Sequence, residues 1–144
     1  MYQYKVSLQA LKVSEKEYNV GSSSKAQEFL ADFLRLREEA QEVAGLLVLD
    51  NMLNVISYQE LARGSLFAVS IDFAVLFRTL YLSGGNRFMI YHNHPTGTAE
   101  PSKDDIALTQ RLKDACGVLG FGFLDHFIIA QSGVYSFAEH NNVL

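Results

Sequence analysis

The chain has 144 residues, of which 49% are hydrophobic, and its 12 basic and 16 acidic side chains give a formal net charge of −4. This length and composition predict one folded domain over residues 1–144 and exclude an intrinsically disordered chain. The acidic balance, with a pI near 5.5, excludes a general electrostatic attraction to nucleic acid.

The cysteine count and the apolar runs bear on the compartment. The single cysteine, Cys116, rules out an internal disulfide and fits a reducing environment. Residues 1–5 begin no apolar signal core, and no apolar run approaches the roughly 20 residues that a membrane helix needs. We therefore expect a cytoplasmic protein that has no membrane partner.

The first predicted elements are a strand and a helix. Tyr2, Tyr4 and Val6 alternate with polar residues, which favours an opening strand. A serine-rich turn at residues 21–24 predicts a helix start, and the apolar spacing extends that helix to about Glu38. The expected buried face consists of Ala26, Phe29, Leu30, Phe33 and Leu34.

Two strands and a second helix come next. The nearly continuous apolar run at residues 43–49 predicts a central strand covered on both faces, and residues 55–58 return after a turn. Ser70 or Asp72 caps a second helix, which runs through Leu82 and ends at a pair of glycines.

The remaining elements surround a histidine pair. Residues 87–91 form a strand that leads into His92 and His94, and Ser102 starts a third helix, whose apolar side is formed by Ile106, Leu108, Leu112, Ala115 and Leu119. Residues 121–130 and 134–137 form a terminal hairpin. This alternation predicts an α/β or α+β fold in which helices flank one mixed central sheet.

The histidine pair has the spacing of a metal site. Residues i and i+2 of an extended segment share a face, so His92 and His94 can present two imidazoles together. A catalytic zinc ion typically has three protein ligands, and Asp105 follows a turn that carries two prolines and a glycine. Asp105 is the expected third ligand. Its alternative role is to cap the third helix, three residues after Ser102 in a capping box.

Two stretches of this region resemble a known protein family. His-Asn-His-Pro-Thr-Gly at residues 92–97 and Pro-Ser-Lys-Asp-Asp-Ile at residues 101–106 resemble the signature of the JAMM, or MPN+, metalloproteases. The bacterial RadC-like JAB domains are the branch they most resemble, although that branch usually has serine where Thr96 stands. With the terminal strands, the resemblance covers residues 23–138 and implies a fold similar to that of the cytidine deaminases.

The resemblance also implies a set of site residues. His92, His94 and Asp105 would bind Zn²⁺, and Ser102 would stabilise the oxyanion formed when water attacks a carbonyl. RadC-like domains place a catalytic glutamate just before the apolar strand, which makes Glu42 the expected general base, with Glu60 as the fallback. His126 is interpreted as a structural histidine, with a place beside the metal as the alternative.

Three functions follow from these expectations. The first is a zinc metallopeptidase of the JAMM type that cleaves an amide or isopeptide bond in a protein or peptide substrate. The second is a factor associated with DNA repair or recombination, as the RadC label suggests. About forty residues precede the central strand, and no helix-hairpin-helix module is expected among them, so direct DNA binding has little support. The third is a non-catalytic MPN scaffold, which a full ligand set disfavours. A homo-oligomer is compatible with all three.

Overall fold

A five-stranded sheet forms the centre of the computed structural model, which describes residues 1–3, 9, 11–64, 71–141 and 143–144. Its strands lie in the order β2-β1-β3-β4-β5, with β3 and β4 parallel and the other neighbours antiparallel. The predicted mixed sheet is therefore confirmed. The strands are β1 (Val43–Leu49), β2 (Val55–Arg63), β3 (Arg87–Asn93), β4 (Gly122–Ala130) and β5 (Gly133–Ser136).

Helices cover both faces of this sheet. One face packs against α1 (Ser23–Glu28), the π-helical turn Phe29–Phe33 that continues it, and the 3₁₀ turn Leu36–Glu38. The other face packs against α2 (Phe73–Ser83) and α3 (Lys103–Leu119). The helices thus enclose two apolar cores with the sheet between them. Within the described ranges, no helix combines the length and the apolar character that crossing a bilayer requires.

The first helical segment ends earlier than predicted. Regular helical structure stops at Phe33, five residues before the expected end at Glu38. Arg35 adopts a left-handed conformation with φ of 54°, which interrupts the helical path. Leu36 lies beyond this break and joins the core at 3% exposure, whereas Phe33 and Leu34 are only partly buried.

The central strand is covered on both faces, as its apolar run predicted. Every residue of β1 is buried, and successive side chains point into opposite cores. Gly45 faces the α1 side, where an added Cβ would lie 2.2 Å from the Tyr91 hydroxyl oxygen. The Tyr91 side chain of β3 therefore occupies the space that a side chain at position 45 would need, and this position requires a glycine.

The caps of α2 agree with the sequence patterns. Asp72 caps α2 by accepting a hydrogen bond from the backbone N–H of Ala74 at 2.8 Å, and Gly84 ends this helix with φ of 76°. The alternative cap, Ser70, lies outside the described residues, as do residues 4–7 of the predicted opening strand.

The buried face of α3 matches the predicted apolar side only in part, because Leu112 is buried and Leu108 packs against the core. Its buried residues are Asp105, Thr109, Leu112 and Cys116, whereas Leu119 is 43% exposed. Two polar side chains thus face the sheet from the first half of the helix. Apolar periodicity does not detect such a face, because the polar residues at its N-terminal end belong to the site and not to the apolar core.

Candidate metal centre

The end of β3 brings the two histidines together. His92 is the penultimate residue of the strand and is 2% exposed, and His94 follows directly after the strand. Their Nε2 atoms are 2.9 Å apart. Two unprotonated imidazole nitrogens at this distance repel each other, so the arrangement favours a proton or a metal cation at this point.

Asp105 reaches the same point from the N-terminus of α3. Its Oδ1 atom is 3.1 Å from His92 Nε2, and its Oδ2 atom is 3.5 Å from His94 Nε2. Oδ2 also accepts hydrogen bonds from the backbone N–H and the hydroxyl of Ser102, at 2.7 and 2.6 Å. The capping box is present, so Asp105 caps the helix and faces both imidazoles at once.

Backbone geometry after β3 orients the second imidazole. Nδ1 of His94 is 2.9 Å from the carbonyl oxygen of Thr98. A carbonyl oxygen only accepts, so Nδ1 carries the hydrogen in neutral His94, and Nε2 keeps its lone pair. The intervening turn is closed by the bond from Gly97 N–H to the His94 carbonyl at 3.1 Å, with Gly97 at φ 102°.

Glu42 enters the cluster from the residue before β1. It is 9% exposed, and one ligand atom from each of Glu42, His92 and His94 lies within 4.8 Å of the other two. Glu60, the other glutamate considered for the base, instead forms an ion pair with Arg63 at 2.8 Å, and about 44% of its side chain is exposed. The structure therefore brings Glu42 to the histidines, whereas Glu60 lies in a separate exposed ion pair.

Asn93 connects Glu42 to the histidine strand. Its side chain points away from the imidazoles, and its Oδ1 accepts from the backbone N–H of Val43 at 2.7 Å. Its Nδ2 donates to the carbonyl oxygens of Gln41 at 3.0 Å and Glu39 at 3.3 Å. No role was predicted for Asn93 from the sequence, although its position between the two histidines placed it next to the site.

Electrostatics at the site favour a bound positive charge. Burial acts to raise the pKa of the Asp105 carboxyl group, but hydrogen bonds with His92 and His94 outweigh burial and hold that pKa well below its usual range. The hydrogen bond with Asp105 raises the pKa of His94. Burial raises the pKa of Glu42, an effect that the nearby histidines oppose. Two carboxyl groups therefore face two imidazoles in a largely water-excluded space.

The distances among the donor atoms match the size of a zinc site. Tetrahedral ligands about 2.05 Å from zinc lie about 3.3 Å from one another. His92 Nε2 lies 2.9 Å from His94 Nε2 and 3.1 Å from Asp105 Oδ1, and His94 Nε2 lies 3.5 Å from the other oxygen of Asp105, Oδ2. Nitrogen and carboxylate oxygen donors are also the ligand types that zinc accepts. The residues present thus fit the metal.

His126, on β4, lies next to one of the two histidines. His126 is fully buried, with its Nε2 atom 2.9 Å from His92 Nδ1, and burial lowers its pKa well below the usual value. It therefore lies beside the candidate metal centre, which is the alternative considered for it.

Cys116 is buried at 4% exposure, and burial raises the pKa of its thiol to about 11. Cys116 is thus a small core residue and not a nucleophile.

The mixed sheet, its flanking helices and this histidine–carboxylate cluster define an α/β domain of the JAB type. The family model described as "RadC-like JAB domain" matches residues 20–142. The chain belongs to this family, so the predicted membership and fold are confirmed. JAB domains are often hydrolytic, and a cluster that could hold a metal ion is present here.

Curated bacterial relatives carry the name UPF0758 protein. One from Acinetobacter baylyi is 43% identical over 110 residues, which cover 75% of this chain and 41% of the relative. One from Psychrobacter sp. is 36% identical over 125 residues, covering 85% and 55%. One from Thioalkalivibrio sulfidiphilus is 40% identical over 105 residues, covering 73% and 47%. The chain thus spans about half the length of the curated relatives it matches.

Proposed function

We propose that the protein is a zinc-dependent hydrolase that cleaves an amide or isopeptide bond in a protein or peptide. The observation that carries this proposal is the convergence of His92 Nε2 with His94 Nε2 at 2.9 Å and with Asp105 Oδ1 at 3.1 Å. Membership of a superfamily that is often hydrolytic adds support.

His92, His94 and Asp105 are the proposed zinc ligands. Asp105 fits the third position better than Glu42, because the two hydrogen bonds from Ser102 anchor Oδ2 and leave Oδ1 facing His92 Nε2 at 3.1 Å. When bound, zinc supplies a Lewis acid that lowers the pKa of water and polarises a carbonyl group. With Asp105 as a ligand, the Glu42 carboxylate is available for a separate task.

Glu42 is the proposed general base. Its carboxylate takes a proton from the attacking water and returns a proton to the leaving amine nitrogen. Burial suits this task because it raises the pKa of the carboxyl group and so strengthens the carboxylate as a base. The bonds from Asn93 to the backbone of residues 39–43 hold Glu42 opposite the histidines.

Ser102 is the proposed donor to the oxyanion. Its hydroxyl donates to Asp105 Oδ2 in this structure, so the hydroxyl must rotate towards the substrate as negative charge develops on the carbonyl oxygen. The backbone N–H of Ser102 keeps its own bond to Oδ2 at 2.7 Å. Asp105 therefore remains anchored during this rotation.

Metal content is the first test of this proposal. We expect about one zinc ion per chain in wild-type protein purified without chelator, as the three ligands predict. The double variant His92→Ala/His94→Ala should fold and contain little zinc. His140→Ala is the matched control, because His140 lies in the C-terminal turn and its Nδ1 is 2.8 Å from the Ser136 carbonyl oxygen. Absence of zinc from wild-type protein, even after zinc is added back, would overturn the zinc site.

Hydrolysis is the second test. We would incubate zinc-loaded protein with a panel of internally quenched peptides and isopeptide-linked lysine peptides. Glu42→Gln should keep its zinc and lose about 10²- to 10⁴-fold in turnover, the usual contribution of a general base. Glu60→Gln, which alters only the exposed pair with Arg63, should retain activity. A zinc-loaded wild type that cleaves nothing, or an unimpaired Glu42→Gln variant, would contradict the assigned mechanism.

A further inference from the structure

A chain of hydrogen-bonding groups connects His92 to the backbone of α3. The hydroxyl oxygen of Thr109 lies 2.6 Å from the Asp105 carbonyl oxygen and 2.7 Å from His126 Nδ1. Nε2 of the same His126 ring lies 2.9 Å from His92 Nδ1. Thr109 and His126 are both completely buried, so water does not compete for these bonds.

The direction of each bond follows from the backbone carbonyl at the end of the chain. A carbonyl oxygen has no hydrogen, so a 2.6 Å contact with it requires the Thr109 hydroxyl to donate. The Thr109 oxygen then accepts from His126 Nδ1–H. If the hydroxyl instead donated to His126, two oxygen lone pairs would face each other at 2.6 Å, which is strongly unfavourable.

The tautomer of His92 follows from this direction. A neutral imidazole has one donor and one acceptor nitrogen, so His126, which donates from Nδ1, must accept at Nε2. The hydrogen between the two rings therefore belongs to Nδ1 of His92. Nε2 of His92 is left with its lone pair, and this atom faces His94 and Asp105.

We propose that Thr109 and His126 are positioning residues that fix the Nδ1–H tautomer of His92 and so prepare its Nε2 atom to bind a divalent cation. The inference rests on the proposed zinc site and assigns roles to two residues that do not touch the metal. His94 has the same tautomer through a direct bond to the Thr98 carbonyl. Backbone carbonyl groups thus determine the tautomer of both histidines. The Thr98 carbonyl acts directly on His94, and the Asp105 carbonyl acts on His92 through Thr109 and His126.

The terminal hairpin holds the His126 ring in place. Phe137 stacks on it with ring centroids 4.7 Å apart and planes 7° apart, and its N–H donates to the His126 carbonyl at 3.1 Å. The neighbouring Asp125 carboxylate accepts from Ser136 Oγ at 2.6 Å and from Ala138 N–H at 3.0 Å. The stacking fixes the plane of the ring, and in this plane its two nitrogens meet Thr109 and His92.

Thr109→Val tests the proposal because it replaces the hydroxyl with a methyl group of similar size. In metal-free wild-type protein at mildly alkaline pH, two-bond ¹H–¹⁵N spectra of labelled histidine should show His92 protonated at Nδ1. In Thr109→Val, the His92 signals should report a mixed or reversed tautomer. Zinc affinity, measured by competition with a chromophoric chelator, should fall about 10- to 100-fold, as for other partners of metal ligands.

Two further variants separate the relay from a general loss of a helix hydrogen bond. Thr109→Ser keeps the hydroxyl and should keep both the tautomer and the zinc affinity of wild type. Thr79→Val is the matched control, because Thr79 donates to the Val75 carbonyl at 3.0 Å in the same i to i−4 pattern, on α2. We expect it to change neither measurement.

The outcomes are separable from those of the proposed function. A metal-free wild-type His92 without a proton at Nδ1, or a Thr109→Val variant with unchanged tautomer and zinc affinity, would overturn the relay. Failure of wild-type protein to bind zinc would overturn the metal site and the cation-binding part of this inference. The tautomer spectra of metal-free protein would still decide the hydrogen-bond chain itself.

Discussion

At the level of single residues, Ser102 and Asp105 combine helix capping with the proposed metal binding. Asp105 N–H donates to Ser102 Oγ at 3.2 Å, and Ser102 returns two hydrogen bonds to Asp105 Oδ2. The two roles considered for Asp105, cap and ligand, are therefore compatible, because Oδ1 takes no part in the cap and faces His92 Nε2 at 3.1 Å. Any change at Ser102 is expected to act on both the helix and the site.

Ser102→Ala should separate these two effects. Loss of the cap should lower the free energy of unfolding by about 1 kcal/mol. Loss of an oxyanion donor should reduce turnover about 10²- to 10³-fold. Ser22→Ala is the control, because Ser22 caps α1 by accepting from Lys25 N–H at 3.4 Å, on a different helix from Asp105. Urea denaturation and peptide hydrolysis measure the two quantities, and full activity in Ser102→Ala would contradict the oxyanion role.

The site residues that sequence predicted differ from those it missed in the range of their contacts. His92, His94 and Asp105 lie within one motif, and family resemblance added Glu42. Asn93, which was missed, bonds to Val43, 50 positions away, and His126, for which a place beside the metal was only the alternative, contacts His92, 34 positions away. Such partners are determined by strand pairing and the packing of α3, and no local pattern identifies them.

At the scale of elements, local capping patterns located helix ends well. The N-terminus of α3 follows from the Ser102 cap, and the C-terminus of α2 from the glycine pair that begins at Gly84, which has φ of 76°. The end of the first helical segment was placed too late, because its break depends on the left-handed Arg35, a residue that rarely adopts this conformation. Side-chain spacing does not report a backbone break of this kind.

Two glycines in different elements should respond to alanine in opposite directions. In Gly45→Ala, the new Cβ would meet the Tyr91 hydroxyl oxygen at 2.2 Å and the Gln59 backbone oxygen at 2.7 Å. We expect a loss of about 1 to 3 kcal/mol in unfolding free energy from this overpacking. Gly117 lies on the exposed face of α3, where an added Cβ meets nothing within 4 Å. Gly117→Ala should therefore gain roughly 0.5 to 1 kcal/mol from helix propensity.

Urea denaturation of both variants measures this contrast. If the free energy of unfolding falls with urea concentration at the same slope as in wild type, the substitution has changed the stability and has left two-state unfolding intact. A stable Gly45→Ala variant would mean that Tyr91 moves aside at little cost, and would contradict the close packing of β1 and β3.

At the scale of the whole molecule, the proposed site joins distant parts of the chain at one end of the sheet. Glu42 precedes β1, His92 and His94 lie at the end of β3, and Asp105 begins α3. His126 contributes from β4. A metal that binds these residues together binds only the folded state, because the unfolded chain does not bring them into contact.

Zinc should therefore stabilise the entire fold. At a free zinc concentration about 100 times Kd, linkage gives about 2.7 kcal/mol. For a domain of this size, that corresponds to an increase in Tm of about 5 to 10 °C. Thermal unfolding followed by circular dichroism, with and without zinc, measures the shift. The His92→Ala/His94→Ala variant should show none, and an equal shift in that variant would place the zinc elsewhere.

Asn93 has a consequence for when the protein can act. Its three hydrogen bonds to residues 39–43 form only after β1 has paired with β3, and this pairing brings Glu42 to the histidines. A nascent chain that ends before β3 lacks the histidines, and a collapsed chain with β1 unpaired lacks the carboxylate that would activate water. The proposed hydrolytic activity thus requires the complete fold. A nascent chain on the ribosome is therefore unable to hydrolyse the proteins around it.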